Sequence, residues 1–397
     1  MFHPNSNIPS RGGEAVTNHN SCIHGRASVK GPRRGVPPRR LASTCLIVFG
    51  LAGCVSVGDE TNSEGTIDNV RVGTFEADEG ILRQISELEL GQARQIGGEV
   101  SQRRLGALSI ESLSTNFSAP GGQGLRIGSR VVHHNLVSRG DALRLDDVGP
   151  EWDASVEFEK RFGRDRLRGR GGGSFRNDDS LPYGQIVWEP RWSNQTRGRF
   201  ELYLNEISED SPALRVIGAK HKVSGEFTAE LTARESATVR LTGQGYHTRN
   251  YDRLAEGMRL EALATSVLVR GSPFVQVRAY GSWQKNHLAD RLVGSLARSV
   301  LPANATVSSV IAPDHRALGV GGLLRTGQNE RRPQAYIDGW AGATWPNQQF
   351  GFQWRAGVST PIFGADVLVF EGFYTNAPAA SPGEVYRGLQ VRYQRLF

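Results

Sequence analysis

From about residue 95 to the C-terminus the chain alternates apolar and polar side chains with period two, in segments of about 9–14 residues. Trp152, Ala154, Val156 and Phe158 alternate with Asp153, Ser155, Glu157 and Glu159; Phe200, Leu202 and Leu204 with Glu201, Tyr203 and Asn205; Val223, Phe227, Ala229 and Leu231 with Ser224, Glu226, Thr228 and Glu230; Val275, Val277, Ala279 and Trp283 with Gln276, Arg278, Tyr280 and Ser282. In an extended chain, successive side chains point to opposite sides, so each segment predicts a strand with one apolar and one polar face. A soluble sandwich has the same period. Length separates the two, because soluble strands average ~5–6 residues and membrane strands need ~9–11. The connectors also alternate. Short turns fall near 118–124, 163–166, 193–197, 232–236, 271–273, 328–333 and 363–366, and longer loops near 137–149, 177–182, 207–214, 249–256, 286–315 and 377–384. Short periplasmic turns and longer external loops belong to an up-and-down membrane barrel. Two connectors, near 104–106 and 347–348, are short where the pattern asks for external loops. Because lipid satisfies no backbone hydrogen bonds, a sheet crossing it must close on itself. The expectation is therefore an all-β, transmembrane, antiparallel barrel over 95–397, with about sixteen strands beginning at Ile96–Arg103 and Ser109–Ala119.

The formal charge of +7 invites a nucleic-acid partner, but its position argues against one. Residues 1–54 hold seven basic residues (Arg11, Arg26, Lys30, Arg33, Arg34, Arg39 and Arg40) and one acid, Glu14. Subtracting these from 47 basic and 40 acidic residues leaves 40 and 39, so the body is nearly neutral and offers no basic face of its own. Arg33, Arg34, Arg39 and Arg40 precede the apolar run Leu41–Gly53, which has the form of a secretory signal and is too short to span a bilayer. The run ends Leu51-Ala52-Gly53-Cys54, which resembles the bacterial lipobox. That resemblance makes 1–54 a lipoprotein-type signal region and implies lipidation of Cys54, removal of everything before it and, with Val55 following, sorting to the outer membrane; an ordinary signal peptide is the alternative. The residues ahead of the signal suggest a translation start at Val29 or Val36. All three cysteines lie before residue 55, which excludes a disulfide framework or cysteine metal cluster from the body.

Residues 55–94 read as a periplasmic linker followed by one amphipathic helix, Ala77–Gln95, with Ile81, Leu82, Ile85 and Leu88 at helical spacing. It either packs under the barrel mouth or docks a periplasmic partner. The chain closes on Leu389-Gln390-Val391-Arg392-Tyr393-Gln394-Arg395-Leu396-Phe397. Outward-facing Leu389, Val391 and Tyr393 with the terminal Phe397 resemble the signal read by the barrel-assembly machinery. Arg395 departs from it by placing a charge on the outward register, at a cost of only ~0–1 kcal/mol near the interface.

The polar faces supply the candidate lumen residues: Asp153, Glu157, Glu159, Glu201, Tyr203, Glu226, Glu230, Arg240, Tyr246, Glu261, Arg278 and Tyr280, with Arg126, Arg130, Arg259 and Arg392 beside them. They are either solvated wall charges that pair with one another or an acidic track for a cationic polymer, with tyrosines on which sugars stack. The loop Asn286–His315 carries Leu288, Leu292, Leu296 and Val300 at helical spacing, which predicts a short helix acting as plug, gate or external cap. Nothing marks an enzyme. Asp146-Asp147 and Asp178-Asp179 are loop acids, and His133-His134, His221, His247, His287 and His315 lack clustered metal-ligand spacing, so no metal and no cofactor are expected. Gly171-Gly172-Gly173 lacks the strand–helix setting and Lys-Ser/Thr of a phosphate loop and reads as strand glycines. A Ser–His–Asn set assembled in space stays open.

Within Arg197–Glu261, the runs Leu204-Asn205-Glu206, Ser211–Gly218 (SPALRVIG), Arg234-Glu235-Ser236 and Gly245–Asp252 (GYHTRNYD) resemble the C-terminal porin domain of the Pel exopolysaccharide exporters, the PelB-like barrels. The resemblance implies a sixteen-stranded barrel in the Gram-negative outer membrane that passes a secreted, partly deacetylated amino-sugar polymer for biofilm matrix. It also implies a periplasmic scaffold of tetratricopeptide repeats. Here Ala77–Gln95 alone could be a remnant of it, so a scaffold is expected as a separate protein, or the pore works without one. The alternatives are a general diffusion porin, a barrel enzyme such as a lipase or protease, and a structural or adhesive barrel with a filled lumen.

Overall fold

The computed structural model describes residues 93–122, 124–139, 143–145, 148–177, 179–326, 333–346, 349–362, 366–376 and 384–397. The signal region with Cys54, the linker, the amphipathic segment up to residue 92, Asp146-Asp147 and Asp178 lie outside them. Gln95, the last residue of the expected helix, is a strand residue instead. Gln95 opens the first strand, and the Arg94 backbone N–H already donates to the Phe397 carbonyl at 2.9 Å.

Sixteen strands form one closed antiparallel barrel in which each strand pairs with its sequence neighbours and the first pairs with the last. They are β1 Gln95–Leu105, β2 Leu108–Gly122, β3 Leu125–Ser138, β4 Glu151–Phe162, β5 Asp165–Arg176, β6 Asp179–Glu189, β7 Thr196–Ile207, β8 Gly218–Glu230, β9 Glu235–Thr248, β10 Arg253–Val269, β11 Phe274–Leu288, β12 Asp314–Arg325, β13 Gln334–Trp345, β14 Gln349–Pro361, β15 Val367–Thr375 and β16 Tyr386–Leu396. Three short helices lie in connections at one end: α1 Pro212–Ile217, α2 Ser295–Val300 and α3 Val307–Val310.

Period two decides which face each residue takes. Val100, Leu113, Trp152, Val156, Leu202, Val223, Leu241, Leu260, Val320, Phe350, Phe370 and Leu389 are all exposed, and they form the outward apolar belt. A belt of this kind is stable only against lipid. The opposite faces carry the polar residues, and contacts across the bore fix that side as inward: Arg103 of β1 reaches Glu209, which follows β7, at 2.6 Å. On β16 the outward set is Leu389, Val391, Tyr393 and Arg395, and Tyr393 donates its hydroxyl to Asp366 at 2.7 Å.

The termini of β1 and β16 share one end with the short connections, which is therefore the periplasmic end; the long connections mark the external end. Three loop expectations are corrected. Residues 179–182 belong to β6, because Ser180, Leu181 and Pro182 continue the β5 ladder opposite Phe175, Ser174 and Gly173. The connection at 249–256 shrinks, since Arg253–Glu256 pair with β9 or β11. Leu288 is the last residue of β11 rather than the first of a helix, and the loop beyond it holds two short helices. The glycine run 171–173 lies within β5.

The ladders are long, with register shifts in β2–β3, β7–β8, β9–β10 and β10–β11, and the shortest is β6–β7, where only Gly184–Trp188 pair with Leu204–Phe200. Side chains stitch the rest of that seam. Asn205, in the left-handed region at φ 54°, donates its amide to the Pro182 carbonyl at 2.7 Å and to the Tyr251 hydroxyl at 2.9 Å. The β12–β13 ladder is tight for a different reason. Gly319 and Gly342 lie directly opposite, and a Cβ at Gly342 would meet the Leu318 carbonyl oxygen at 2.1 Å. Gly342→Val must therefore push these strands apart. The expected result is a loss of about 2 kcal/mol or more, read as a lower temperature for the shift from folded to unfolded migration in detergent electrophoresis.

Candidate functional site

The external connections turn inward and build a core inside the outer mouth. Leu143 and Val148 from the β3–β4 loop, the apolar residues of α1, and Ala297, Val300, Leu301, Val307, Val310 and Ile311 from the β11–β12 loop are all buried. They pack on Leu105, Leu108, Ile110, Leu136, Tyr246, Leu254 and Tyr386 of the wall. The Arg144 backbone N–H donates to the Val300 carbonyl at 2.8 Å, so the two long loops are joined. At about 1.5–3 kcal/mol per fully buried large apolar side chain, this core gives the loops one position rather than many. It is a plug.

Helix α1 explains how the plug is aimed. Ser211 caps it by accepting from the Leu214 N–H at 3.1 Å, and Pro212 occupies the first turn, where a missing N–H costs nothing. Its last carbonyls are met from the wall: Arg176 donates to the Val216 carbonyl at 2.5 Å and the Arg215 carbonyl at 3.2 Å. Arg215 itself is 1% exposed and points back to Glu151 at the start of β4, with Nη2 to Oε1 at 2.8 Å. Arg176 binds the same carboxylate, and Arg249 lies 3.8 Å away while bonding Asp179. A fully buried carboxylate with three guanidiniums around it is an anchor, because removing it strands charges in a dry site.

A second anchor lies across the mouth. Asp210, just before α1, accepts from Lys220 Nζ at 2.9 Å and from the Tyr246 hydroxyl at 2.8 Å, while the Tyr386 hydroxyl donates to its backbone carbonyl at 2.9 Å. Burial alone would raise the Asp210 pKa, but the Lys220 charge and the hydrogen bonds from Lys220, Tyr246 and Ser208 outweigh it and hold the carboxyl below its ordinary value. A carboxyl with a depressed folded pKa contributes stability above its unfolded value, ~3.9, and loses it as pH falls through the folded value. Conductance in planar bilayers is therefore expected to stay unchanged from pH 7 down to about 4 and to rise below that as the anchor neutralises.

Below the plug the inner wall is a lattice of opposite charges. Glu201 is held by Arg240, by Arg199 at 2.6 Å and by Lys222 at 3.9 Å. Glu226 lies 3.9 Å from Arg240, Glu157 3.3 Å from Arg170, and Glu159 2.6 Å from Arg166. Glu261 pairs with Arg259 at 2.8 Å, and Arg278 with Asp338 at 2.7 Å. Tyr203 lies under Lys222, whose Nζ is 3.7 Å from the ring centroid; Tyr280 meets Trp340 with centroids 5.5 Å apart; Tyr246 belongs to the Asp210 anchor. Glu230 is exposed at the periplasmic end of β8. Arg130 and Arg392 both approach Glu99, at 3.7 and 3.1 Å. The anchor residues Glu151, Arg176, Asp210, Arg215, Lys220 and Arg249 were not singled out in the sequence. Glu151 and Arg176 face each other in the β4–β5 hairpin and Asp210 is close to Lys220 in the chain, whereas Arg215 and Arg249 reach Glu151 from further along it; the signals present were the Ser211-Pro212 helix start inside SPALRVIG and the run GYHTRNYD that holds Arg249.

His134, Glu151 and Asp153 bring three ligand-type atoms within 4.8 Å of one another. Most of these atoms are engaged: His134 contacts Ser112 Oγ at 2.7 Å and Asp153 Oδ2 at 3.0 Å, and Glu151 holds its arginines, while Asp153 Oδ1 is buried without a hydrogen-bond partner. A divalent ion there would enter beside three guanidiniums. Ser112, His134 and Asp153 follow the order of a nucleophile, base and acid. Ser112, however, lies in continuous ladders with both β1 and β3, so the flanking backbone N–H groups are committed to strand pairing and not to an oxyanion. The row braces the wall beneath the plug.

Residues 90–396 match the family model described as PelB, C-terminal beta barrel domain. The chain belongs to that family. No curated protein matches the sequence. Among solved structures, this PelB-family barrel is similar to one titled "Bacterial polysaccharide outer membrane secretin", at 10% identity and a TM-score of 0.59 over 78% of this chain and 100% of that one. It also matches the outer membrane channel DcaP of Acinetobacter baumannii, at 11% identity and a TM-score of 0.35 over 76% and 96% of the two chains, and an anion-selective porin from Comamonas acidovorans, at 10% identity and 0.37 over 77% and 99%. At these identities the likeness to the secretin is one of fold. The closed sixteen-strand PelB-family barrel with its outward apolar belt is a protein of the Gram-negative outer membrane.

Proposed function

We propose that this PelB-family barrel is an outer-membrane channel that exports an exopolysaccharide, a cationic amino-sugar polymer of the Pel type destined for biofilm matrix. The observation that carries the reading is the union of the family match with the plugged mouth. A pore for small solutes works with its mouth open, whereas a pore wide enough for a polymer must be stopped between export events. Transport requires no covalent chemistry of the wall. It requires a hydrated bore whose charges pair with one another at rest and exchange partners with a passing chain. Glu157, Glu159, Glu201, Glu226 and Glu261 exchange arginine for polymer ammonium groups, and their arginines exchange carboxylate for hydroxyls. The driving force comes from the inner membrane. A separate periplasmic scaffold protein delivers the polymer, barrel-assembly machinery inserts the chain, and lipidation of Cys54 tethers its N-terminal segment.

Planar bilayers holding the purified chain test this. Partly deacetylated amino-sugar polymer added on the periplasmic side is expected to produce discrete current blockades, shortened in Glu226→Lys/Glu230→Lys. Free passage of small solutes with no blockade by the polymer would assign the barrel to general diffusion instead.

A further inference from the structure

One sector of the periplasmic rim carries more positive charge than its own acids balance. The ends of the β4–β5 and β6–β7 hairpins, 159–168 and 189–199, hold eight basic residues and three acids. Lys160 faces outward over Phe162, but the other seven lie in the turns or on the inward register, in the mouth and away from lipid headgroups. Arg161 and Arg166 are direct cross-strand partners, and Arg191 bridges to Arg197. Like charges set opposite one another destabilise a sheet, so such pairs call for a counter-charge. The three acids are already shared. Glu159 serves Arg166 at 2.6 Å and Arg161 at 3.7 Å, Glu189 serves Arg168 at 2.5 Å and Arg199 at 2.8 Å, and Asp165 accepts from the Arg191 backbone N–H at 3.0 Å. The neighbouring β8–β9 turn adds Glu230 and Glu235 against Arg234, which leaves most of the excess in place. The sector is open to solvent: the Arg161 side chain is 45% exposed, and Arg164 is exposed in its turn.

The complementary charge lies in the same chain. Residues 56–92, ahead of the described ones, hold nine acids against Arg71 and Arg83, a formal net of −7. Five of the nine (Glu76, Asp78, Glu79, Glu87 and Glu89) fall in the last 17 residues, 76–92, against Arg83 alone. Their attachment point is fixed on the bore side of the same rim. Arg126, on the inward face of β3, donates to the Ala93 carbonyl at 3.3 Å, and the Arg94 and Phe397 backbones pair beside it. At about 4.8 Å per strand, β5 to β7 lie roughly 20–30 Å from β1 around the wall. Seventeen residues reach about 25 Å even if wound as a helix, and further if extended.

We propose that the arginine-rich rim of β4–β7 is the docking surface for the chain's own acidic segment, residues 76–92, at the periplasmic mouth. Charge, tether and reach together select this occupant. Tethering makes the contact intramolecular, at an effective concentration of order mM, so several surface ion pairs suffice although each is weak alone. The docked acids supply the counter-charge that Arg161–Arg166 and Arg191–Arg197 lack within their hairpins. Nothing in this contact depends on what passes through the pore.

The test uses the full chain in detergent micelles, spin-labelled at Ser86→Cys and Gln195→Cys in a Cys22→Ser/Cys45→Ser/Cys54→Ser background. Gln195 is exposed in the β6–β7 turn. Pulsed electron paramagnetic resonance reads the distance between the labels. At low salt a narrow distribution is expected, centred at or below about 25 Å, the span of the segment itself. At about 0.5 M salt, where the screening length is about 4 Å, most of that population is expected to be lost. Asp78→Asn/Glu79→Gln/Glu87→Gln/Glu89→Gln, which leaves every strand unchanged, is expected to abolish it as well. Arg161→Glu/Arg197→Glu is expected to do the same, and Glu87→Arg/Glu89→Arg added to that rim variant to restore part of it, with heat-modifiable migration as the check on folding. A broad distribution in the parent at low salt would overturn the docking and leave the rim to another anion, such as an acidic periplasmic protein. So would a narrow one that survives both the salt and the four segment substitutions, because charge would not be what holds it.

Discussion

Glu151→Leu is expected to unseat the plug. The Glu151 carboxylate is shared by Arg176, Arg215 and Arg249, all at most 3% exposed, and its removal takes the acid from Arg176 and leaves Arg215 with Glu209 at 3.9 Å. Breaking a buried ion pair from one side costs about 3–5 kcal/mol, more than a surface loop of short helices holds in reserve. Planar bilayers with the variant should show long-lived conductance where the parent is mostly shut, and cells carrying it should admit large antibiotics. Glu151→Leu/Arg215→Leu should recover part of the closure, since it removes the charge as well as its partner, with a coupling of roughly 1–3 kcal/mol. If Glu151→Leu stays shut, the anchor is not what holds the mouth.

The second large effect is expected from replacing residues 291–311 with a short Gly-Ser linker. This removes Ala297, Val300, Leu301, Val307, Val310 and Ile311 from the core at once, and with them the partners of Leu143 and α1. Four or five large apolar contacts at about 1.5–3 kcal/mol each exceed what the remaining loops can regain by closing up. Folding of the barrel should be spared, because no ladder passes through the segment: β11 ends at Leu288 and β12 starts at Asp314. The expected phenotype is a folded barrel with sustained, pH-independent conductance. A folded barrel that remains closed would show that α1 and the β3–β4 loop suffice.

Much of this architecture was legible in the residues, and the reason is geometric. Period two is a property of each strand alone, so the outward belt, the inward polar faces and the sixteen strands follow from the order of residues such as Trp152–Glu159 or Val275–Trp283. The family resemblance at Ser211–Gly218 was likewise readable, and the model match over 90–396 bears it out. What escaped was whatever depends on closure in three dimensions. Residues 179–182 look like a loop because Pro182 and Asp179 are poor strand residues, yet the β5 ladder carries them. The leucine spacing from Leu288 suggested one helix, but the strand ladder captured Leu288 and Gly294 set a later start for α2. The anchor was invisible because Glu151 and Arg176 face each other only once β4 and β5 are in register, and Arg215 joins them only after the loop after β7 folds back into the bore. The wall charges were readable residue by residue; their pairing, such as Arg240 with Glu201, needed the register.

The most direct measurement is secretion itself. The gene is deleted in its own host, and matrix polysaccharide is measured in the periplasm and outside the cell. The account predicts accumulation in the periplasm with loss of released polymer, restored by the parent chain. Unchanged release on deletion, with slower uptake of small solutes, would contradict it and leave the PelB-family resemblance as one of fold.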